Sequence, residues 1–436
     1  MQQMAKHPSI FNDVIGPVMR GPSSSHCAAS LRIARLCRDL MDGRIEDIHV
    51  EFDPNGSLAT THKDQGSDMG LFGGFLGWEA DDERLPESEK YLADAGITVA
   101  IEVVDIGATH PNTYKITLSN DLETRQVIAI STGGGMIEVI EIDGAGVSMA
   151  GDYFETLVYS TSPDAVADFV KESIVHESVY LHNGEPGFVE IKSREFPSAE
   201  VLDELLARPD VLFVRKLHPV LPVLSRNELY VPFETCDEMV AFNEGKNLTL
   251  WELAAEYESA RGGITREEVF EKMRVIARIM GHAIASGLKG TEYADRILGS
   301  QSLQLRQQLD SQTLIGGDAN NTIIMYVSAT MEVKSSMGVV VAAPTAGSCG
   351  ALPGAVFGVA QSLNVGEDDI VKAMLAAGMI GVFIASRATF AAEVGGCMAE
   401  TGSGGGMAAA AIVMMAEDRS RNRSEPLRSR YKILSD

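Results

Sequence analysis

The chain has 436 residues, 45% of them apolar and 22% charged, and a formal net charge of −25. That length suits two or three domains with ample core, and that charge argues against nucleic acid and anionic membranes as partners. The N-terminal MQQMAKHPSIFNDVIGPVMR carries no signal-peptide core, and five scattered cysteines make no disulfide framework, which suits a reducing cytoplasm and leaves thiols for a metal.

The first candidate element is a helix opened by GPSSSH, from Gly21 to His26. One serine is enough to cap a helix. Ser23, Ser24, Ser25 and His26 together read either as an over-furnished cap or as the seat of a small anion, with His26 able to move a proton near neutral pH. Strands are expected at IHVEF from Ile48, ITVAIEVV from Ile97, YKITL from Tyr114, RQVIAIS from Arg125 and MIEVIEI from Met136, with alternation that covers one face of a sheet. Between them lie two polar loops. ATTHKDQGSD holds His62, Lys63 and Asp68, and ATHPNTYKI holds His110 and Asn112. A lone loop histidine is more often structural or solvated, but three His-bearing loops in one domain favour convergence. The glycines of STGGGMIEV read as a turn between strands, and the GAG at Gly144–Gly146 as a domain boundary.

From Asp152 to Pro222 the pattern runs strand, helix, strand, helix, strand, as in a small α+β regulatory module. Beyond it, T-x-x-E capping boxes at Thr249/Glu252 and Thr265/Glu268 announce helices. After Asn243 almost no strand signal remains, so the last half reads as all-α. The most apolar stretch, Ile370 to Ser386, is short for a membrane span and carries Lys372, so it reads as a buried packing helix. MEVKSSMGVVVAAPTAGSCGALPG supplies Ser336, Thr345 and Cys349, either facing a pocket or serving a plain helix connection. EVGGCMAETGSGGGMAAAA places Cys397 beside Glu400 in what reads as a Gly-rich break, and the Arg/Ser-rich tail after Met415 reads as disordered. The fold class is therefore α/β plus all-α.

GPSSSH, THPNT, GGGMIEV, EVKSSMG, APTAGSCGALPG and GGCMAETGSGGGMAAAA, in this order, resemble the iron–sulfur-dependent L-serine dehydratases. The resemblance covers residues from about Gly16 to Met415. It implies an α+β serine dehydratase β-type domain over 1–147, an ACT-like module over 148–222, an all-α catalytic domain over 223–416 and a tail over 417–436. It implies a [4Fe–4S] cluster with one open iron acting on L-serine, no pyridoxal phosphate, pyruvate and ammonia as products, and a cytoplasmic homodimer. By resemblance the Ser-rich helix start is the amino-acid site, with His26 the candidate proton-transfer residue, and Cys397 matches the family's first cluster ligand. His62 is a second catalytic candidate, and Ser23, Ser24, Ser25, His110, Asn112, Ser336 and Thr345 are candidate substrate contacts.

Two departures qualify the resemblance. Lys334 stands where the family usually has Asn. The family's two other ligands follow in a Cys-Asp-Pro stretch and a nearby Pro-Cys, neither of which these residues contain. Cys349 lies in a matching loop but not at a ligand position, and Cys27, Cys37 and Cys236 also fail to match. The resemblance thus leads one to expect a shortened or frame-altered end, an incomplete ligand set and impaired turnover. An amino-acid-binding or regulatory protein of the same fold is the alternative, and a lyase acting on cysteine or another β-substituted amino acid is a third reading.

Overall fold

The computed structural model describes residues 7–225, 230–293 and 298–421. Its strands are β1 (Val18–Arg20), β2 (Asp47–Phe52), β3 (Thr98–Val103), β4 (Thr113–Ser119), β5 (Thr124–Gly133), β6 (Met136–Ile142), β7 (Ala145–Met149), β8 (Phe154–Ser160), β9 (Ser178–His182), β10 (Phe188–Ser193), β11 (Val211–Leu217) and β12 (Val339–Val341). The chain divides into two compact units, Ser23–Pro222 and a second unit made of Met1–Pro22 with Val223–Asp436. Residues 7–22, expected with the strand-rich domain, thus belong with the helices.

In the strand-rich unit, six strands run in the order β3-β2-β4-β5-β6-β7. Only β2 and β3 are parallel; the other pairs are antiparallel. Alternation sets the covered face, since Tyr114, Ile116 and Leu118 of β4 are fully buried. The helices Cys27–Leu40 and Ser67–Phe75 pack closely because Gly70 and Gly74 lack side chains. A Cβ on Gly70 would fall 2.3 Å from Cys27 O, and one on Gly74 2.4 Å from Leu31 O. That approach sets the Ser-rich turn beside the His62 loop.

The stretch Gly144–Gly146 is not a boundary. Ile142 pairs with Ala145 across Asp143-Gly144, whose φ values of 51° and 80° are those of a type I′ hairpin. β8 to β11 form a second, antiparallel sheet in the order β11-β8-β10-β9, with helices Pro163–Ser173 and Ala199–Leu206, a βαββαβ arrangement. β9 escaped the sequence reading because it lacks alternation: Tyr180 and Leu181 are both exposed. One face of this sheet buries Val158, Val189 and Ile191 under the helices, while Leu157, Tyr159, Phe188 and Leu217 join the core of the larger sheet.

The second unit is helical around one core, with a single antiparallel ribbon of β1 and β12 among its described residues. The reading of this half as all-α missed that ribbon, whose strands are three residues each and pair residues 319 to 323 positions apart in sequence. Thr265 and Glu268 form a reciprocal capping box, and Thr249 N–H donates to Glu252 at 2.7 Å. Thr235 with Glu238 adds a third box that the sequence reading passed over. The apolar stretch near Ile370 is the helix Glu367–Ala385, and among the described residues no helix is long and apolar enough to cross a membrane.

The N-terminal segment is part of this helical core. Ile10, Phe11, Val14 and Ile15 are at most 1% exposed. Ser9 Oγ donates to Glu258 at 2.5 Å, Ile10 N–H to the same carboxylate at 2.8 Å, and Arg261 Nε to His7 O at 2.7 Å. Gly378 and Gly381 make room for it, since a Cβ there would fall 2.6 Å from Ile10 Cγ2 and 2.1 Å from Val14 Cγ1.

The last helix, Cys397–Arg421, corrects two expectations. Gly402 to Gly406 are helical and not a loop, and the expected disordered tail 417–436 begins as helix through Arg421. The rest of that tail lies outside the described residues.

Candidate active site

In the strand-rich unit, the three serines precede the helix instead of capping it. The helix Cys27–Leu40 has His26 at its N-cap position with no side-chain cap bond. Cys27 N–H and His26 N–H both donate to Ser23 O, and Ala29 N–H to Ser24 O, so the backbone satisfies much of the first turn itself. The hydroxyls are left for other partners. Ser23 Oγ lies 2.9 Å from His26 Nδ1. His26 Nε2 lies 2.9 Å from Thr61 Oγ1, which donates to Ser57 O at 2.6 Å. Ser57 Oγ donates to Asn112 Oδ1, Asn112 Nδ2 reaches Ser131 O at 3.5 Å, and Ser131 Oγ donates to Ser25 O at 2.8 Å. These bonds close a ring through four segments of chain around His26.

His110 joins through its neighbour, its Nδ1 accepting from Asn112 N–H at 3.2 Å. Burial pushes the imidazoles of both His26 and His110 down from the usual histidine range, which favours neutral rings near neutral pH. His62 follows Thr61 in sequence but turns elsewhere. Its Nδ1 lies 2.7 Å from Asp68 Oδ1 and its ring 5.1 Å from that of Phe52. Burial raises the Asp68 carboxyl, with His62 acting in the opposite sense. Ser24 is buried. Three of the ring's members, Ser57, Thr61 and Ser131, were not singled out from sequence. Ser57 sits in a turn motif. Ser131 continues the inward register of Val127 and Ala129 on β5, where a polar residue is the available signal.

The glycine turn joins β5 to β6 in a hairpin, with Gly133, Gly134 and Gly135 all at positive φ. Arg32, buried and pushed down to about 10 by that burial, donates to Gly135 O at 2.5 Å.

The helical unit carries the remaining candidates. Thr345 Oγ1 donates to Glu400 Oε1 at 2.6 Å, so the Thr345 turn does meet the start of the last helix. A Cβ on Gly347 would lie 2.6 Å from the same oxygen, so a larger residue there would displace the Glu400 carboxylate. Ser336 Oγ is buried with no hydrogen-bond partner among the described residues.

The thiols do not gather. Cys397 is exposed at the start of its helix. Cys349 is sealed, its Sγ 3.8 Å from Met331 Sδ and its thiol pushed up to about 12 by burial. Cys236 is half-buried with its thiol raised, first by burial and then by Asp237. Cys27 and Cys37 are buried in the strand-rich unit. An open-iron [4Fe–4S] cluster needs three protein thiolates converging on one cavity. Among the described residues no three His, Cys, Asp or Glu side chains form a group that could hold a metal ion, so the residues present do not fit the cluster.

Comparison with known proteins agrees with the two-part fold. Residues 245–425 match the family model for the serine dehydratase alpha chain. The chain is 34% identical over 220 residues to the probable L-serine dehydratase beta chain of Bacillus subtilis (strain 168), covering 49% of this chain and 99% of that one. It is 35% identical over 160 residues to the L-serine dehydratase beta chain of Peptoniphilus asaccharolyticus, covering 36% of this chain and 71% of that one. It is 32% identical over 184 residues to the probable alpha chain of Bacillus subtilis (strain 168), covering 42% of this chain and 61% of that one.

Proposed function

The chain belongs to the L-serine dehydratase family, and we propose that its chemistry is the deamination of L-serine to pyruvate and ammonia around His26. The observation that carries this reading is the hydrogen-bonded ring. It places a half-buried imidazole, serine hydroxyls and the Asn112 amide within one small constellation. Loss of ammonia from serine needs a proton taken from Cα and a hydroxyl driven out as it gains a proton or a Lewis acid. His26 is the proton-transfer residue. Ser23, Ser24, Ser25, His110 and Asn112 hold the amino acid's carboxylate and ammonium, and His62 is a second catalytic candidate held by Asp68. Ser336 and Thr345 are the helical unit's substrate contacts.

The family's cluster chemistry supplies a Lewis acid when the cluster is present, and Cys397 is this chain's ligand candidate. With Cys349 sealed and no metal-holding group among the described residues, iron bound far short of a full [4Fe–4S] complement and slow turnover are expected. The second reading, an amino-acid-binding protein of the same fold, rests on that thiol geometry. The βαββαβ region 148–222 serves as an ACT-like regulatory module, a role supported by its strand order. The cytoplasm suits cysteines that form no disulfide among the described residues, and a homodimer is the assembly to seek by sedimentation.

The test is anaerobic incubation of the purified chain with ferrous iron and sulfide, then an assay of pyruvate from L-serine with iron counted on the desalted protein. Slow, L-serine-specific pyruvate release with low retained iron supports the proposal. Serine binding without pyruvate favours the second reading. Rapid turnover with a full iron complement overturns the thiol argument.

A further inference from the structure

We infer that Thr61 is a positioning residue that fixes the tautomer of His26, holding the proton on Nε2 and leaving the Nδ1 lone pair to the Ser23 hydroxyl. The inference follows from counting protons. Ser57 O is a carbonyl and only accepts, and Thr61 Oγ1 stands 2.6 Å from it, so the single threonine proton goes there. Thr61 Oγ1 is then left with lone pairs for its other neighbour, His26 Nε2 at 2.9 Å. A contact of that length between two acceptors would be repulsive, so Nε2 carries the hydrogen. A neutral imidazole has one N–H, so Nδ1 has none and accepts from Ser23 Oγ–H at 2.9 Å. Burial of the ring supports the neutral form.

The direction of the donors therefore runs one way, from Ser23 through His26 and Thr61 to a backbone carbonyl of a different loop. The basic nitrogen is the one beside the serine. When Nδ1 takes the Ser23 proton, Ser23 Oγ takes one from a bound molecule, and the two transfers reverse when the proton is released. Thr61 moves no proton in this exchange. Its anchor is the short helix Leu58–Thr61, whose preceding residue Ser57 is itself tied to Asn112 and to Pro111 O. A valine at this position has the same shape and no acceptor, and a serine keeps the acceptor.

The tautomer itself can be read in the full chain labelled with ¹⁵N-histidine, by long-range ¹H–¹⁵N correlation at mildly alkaline pH, with His26 assigned by the signal lost in His26→Gln. We expect a protonated Nε2 and an unprotonated Nδ1 in the native chain and in Thr61→Ser. Thr61→Val should shift the ring towards the other tautomer or a mixture, and Ser57→Ala, which keeps the backbone carbonyl, should not. A protonated Nδ1 in the native chain, or a Thr61→Val ring that keeps its tautomer while circular dichroism shows an intact fold, would overturn the inference. The consequence for turnover rests on the serine deamination reading. There, Thr61→Val should lower kcat by a factor within the roughly 10²–10⁴ that a positioned proton-transfer group contributes, leave KM nearly unchanged and be rescued by Thr61→Ser. Because the tautomer is observed without substrate, its failure and a failure of the deamination reading are separate results.

Discussion

The two units spend their polar side chains differently. In the strand-rich unit they are tied to one another around a half-buried histidine, in a ring that draws on the Ser-rich turn, the Ser57–Thr61 turn, the Asn112 loop and the end of β5. In the helical unit the buried pair Glu258 and Arg261 holds the chain's own N-terminal segment, while the Thr345 turn meets the last helix through one carboxylate and Cys397 stands exposed. The difference teaches that a buried polar network marks organisation without marking its purpose. In one unit it ties four segments of chain around a histidine, and in the other it fastens a strap into a core.

The largest expected effect breaks the strap. Arg261 is 1% exposed and bonded to the carbonyls of His7 and Leu224. Arg261→Met should cost about 3–5 kcal/mol, because it leaves those carbonyls and the Glu258 and Asp13 carboxyls buried without their cation. Denaturant titration measures it, and a loss below about 1 kcal/mol would show that the N-terminal segment is held by apolar packing alone.

Overpacking comes next. Gly381→Val drives a side chain into Val14 and should cost about 1–3 kcal/mol. Combining it with Val14→Ala should recover part of the loss. Strict additivity of the two changes would mean that the residues do not touch in solution.

A smaller effect is expected at the Thr345 turn of the same unit. Thr345→Val removes the donor from Glu400 and should cost about 1 kcal/mol by the same titration. No change at all would detach the Thr345 turn from the last helix.

The mildest test uses pH. Burial raises the carboxyls of Glu258 and Asp13, with Arg261 pulling the other way. The folded chain then keeps protons that the unfolded chain gives up, so their contribution to stability falls as pH rises from the ordinary carboxylate range, about 4, towards the raised values. Glu258→Gln should flatten that fall in a series of unfolding midpoints. An unchanged slope would place the titration elsewhere.

Much of this was legible in the sequence because it is local. Alternation marked β2 to β6, and capping boxes marked the helices after Thr249 and Thr265. Histidine-bearing loops pointed to a shared site, and the structure links His26, His110 and Asn112 while turning His62 to Asp68. Non-local features were not legible. The pairing of β1 with β12 joins residues more than three hundred positions apart. The Gly378 and Gly381 notch makes sense only once Ile10 and Val14 are seen in it. Glycines at 402, 404, 405 and 406 read as a break, since Gly is a poor helix former, yet packing carries them inside a helix. Thr61 escaped notice because its hydroxyl acts on a residue 35 positions away.

The most direct test of the central claim is the release of pyruvate from L-serine by the anaerobically treated chain and by its His26→Ala variant. The account predicts measurable, L-serine-specific release from the native chain and a loss of about 10²–10⁴-fold in the variant, with both proteins unfolding at similar denaturant concentrations. Equal rates in the two, or no pyruvate from either, would contradict it.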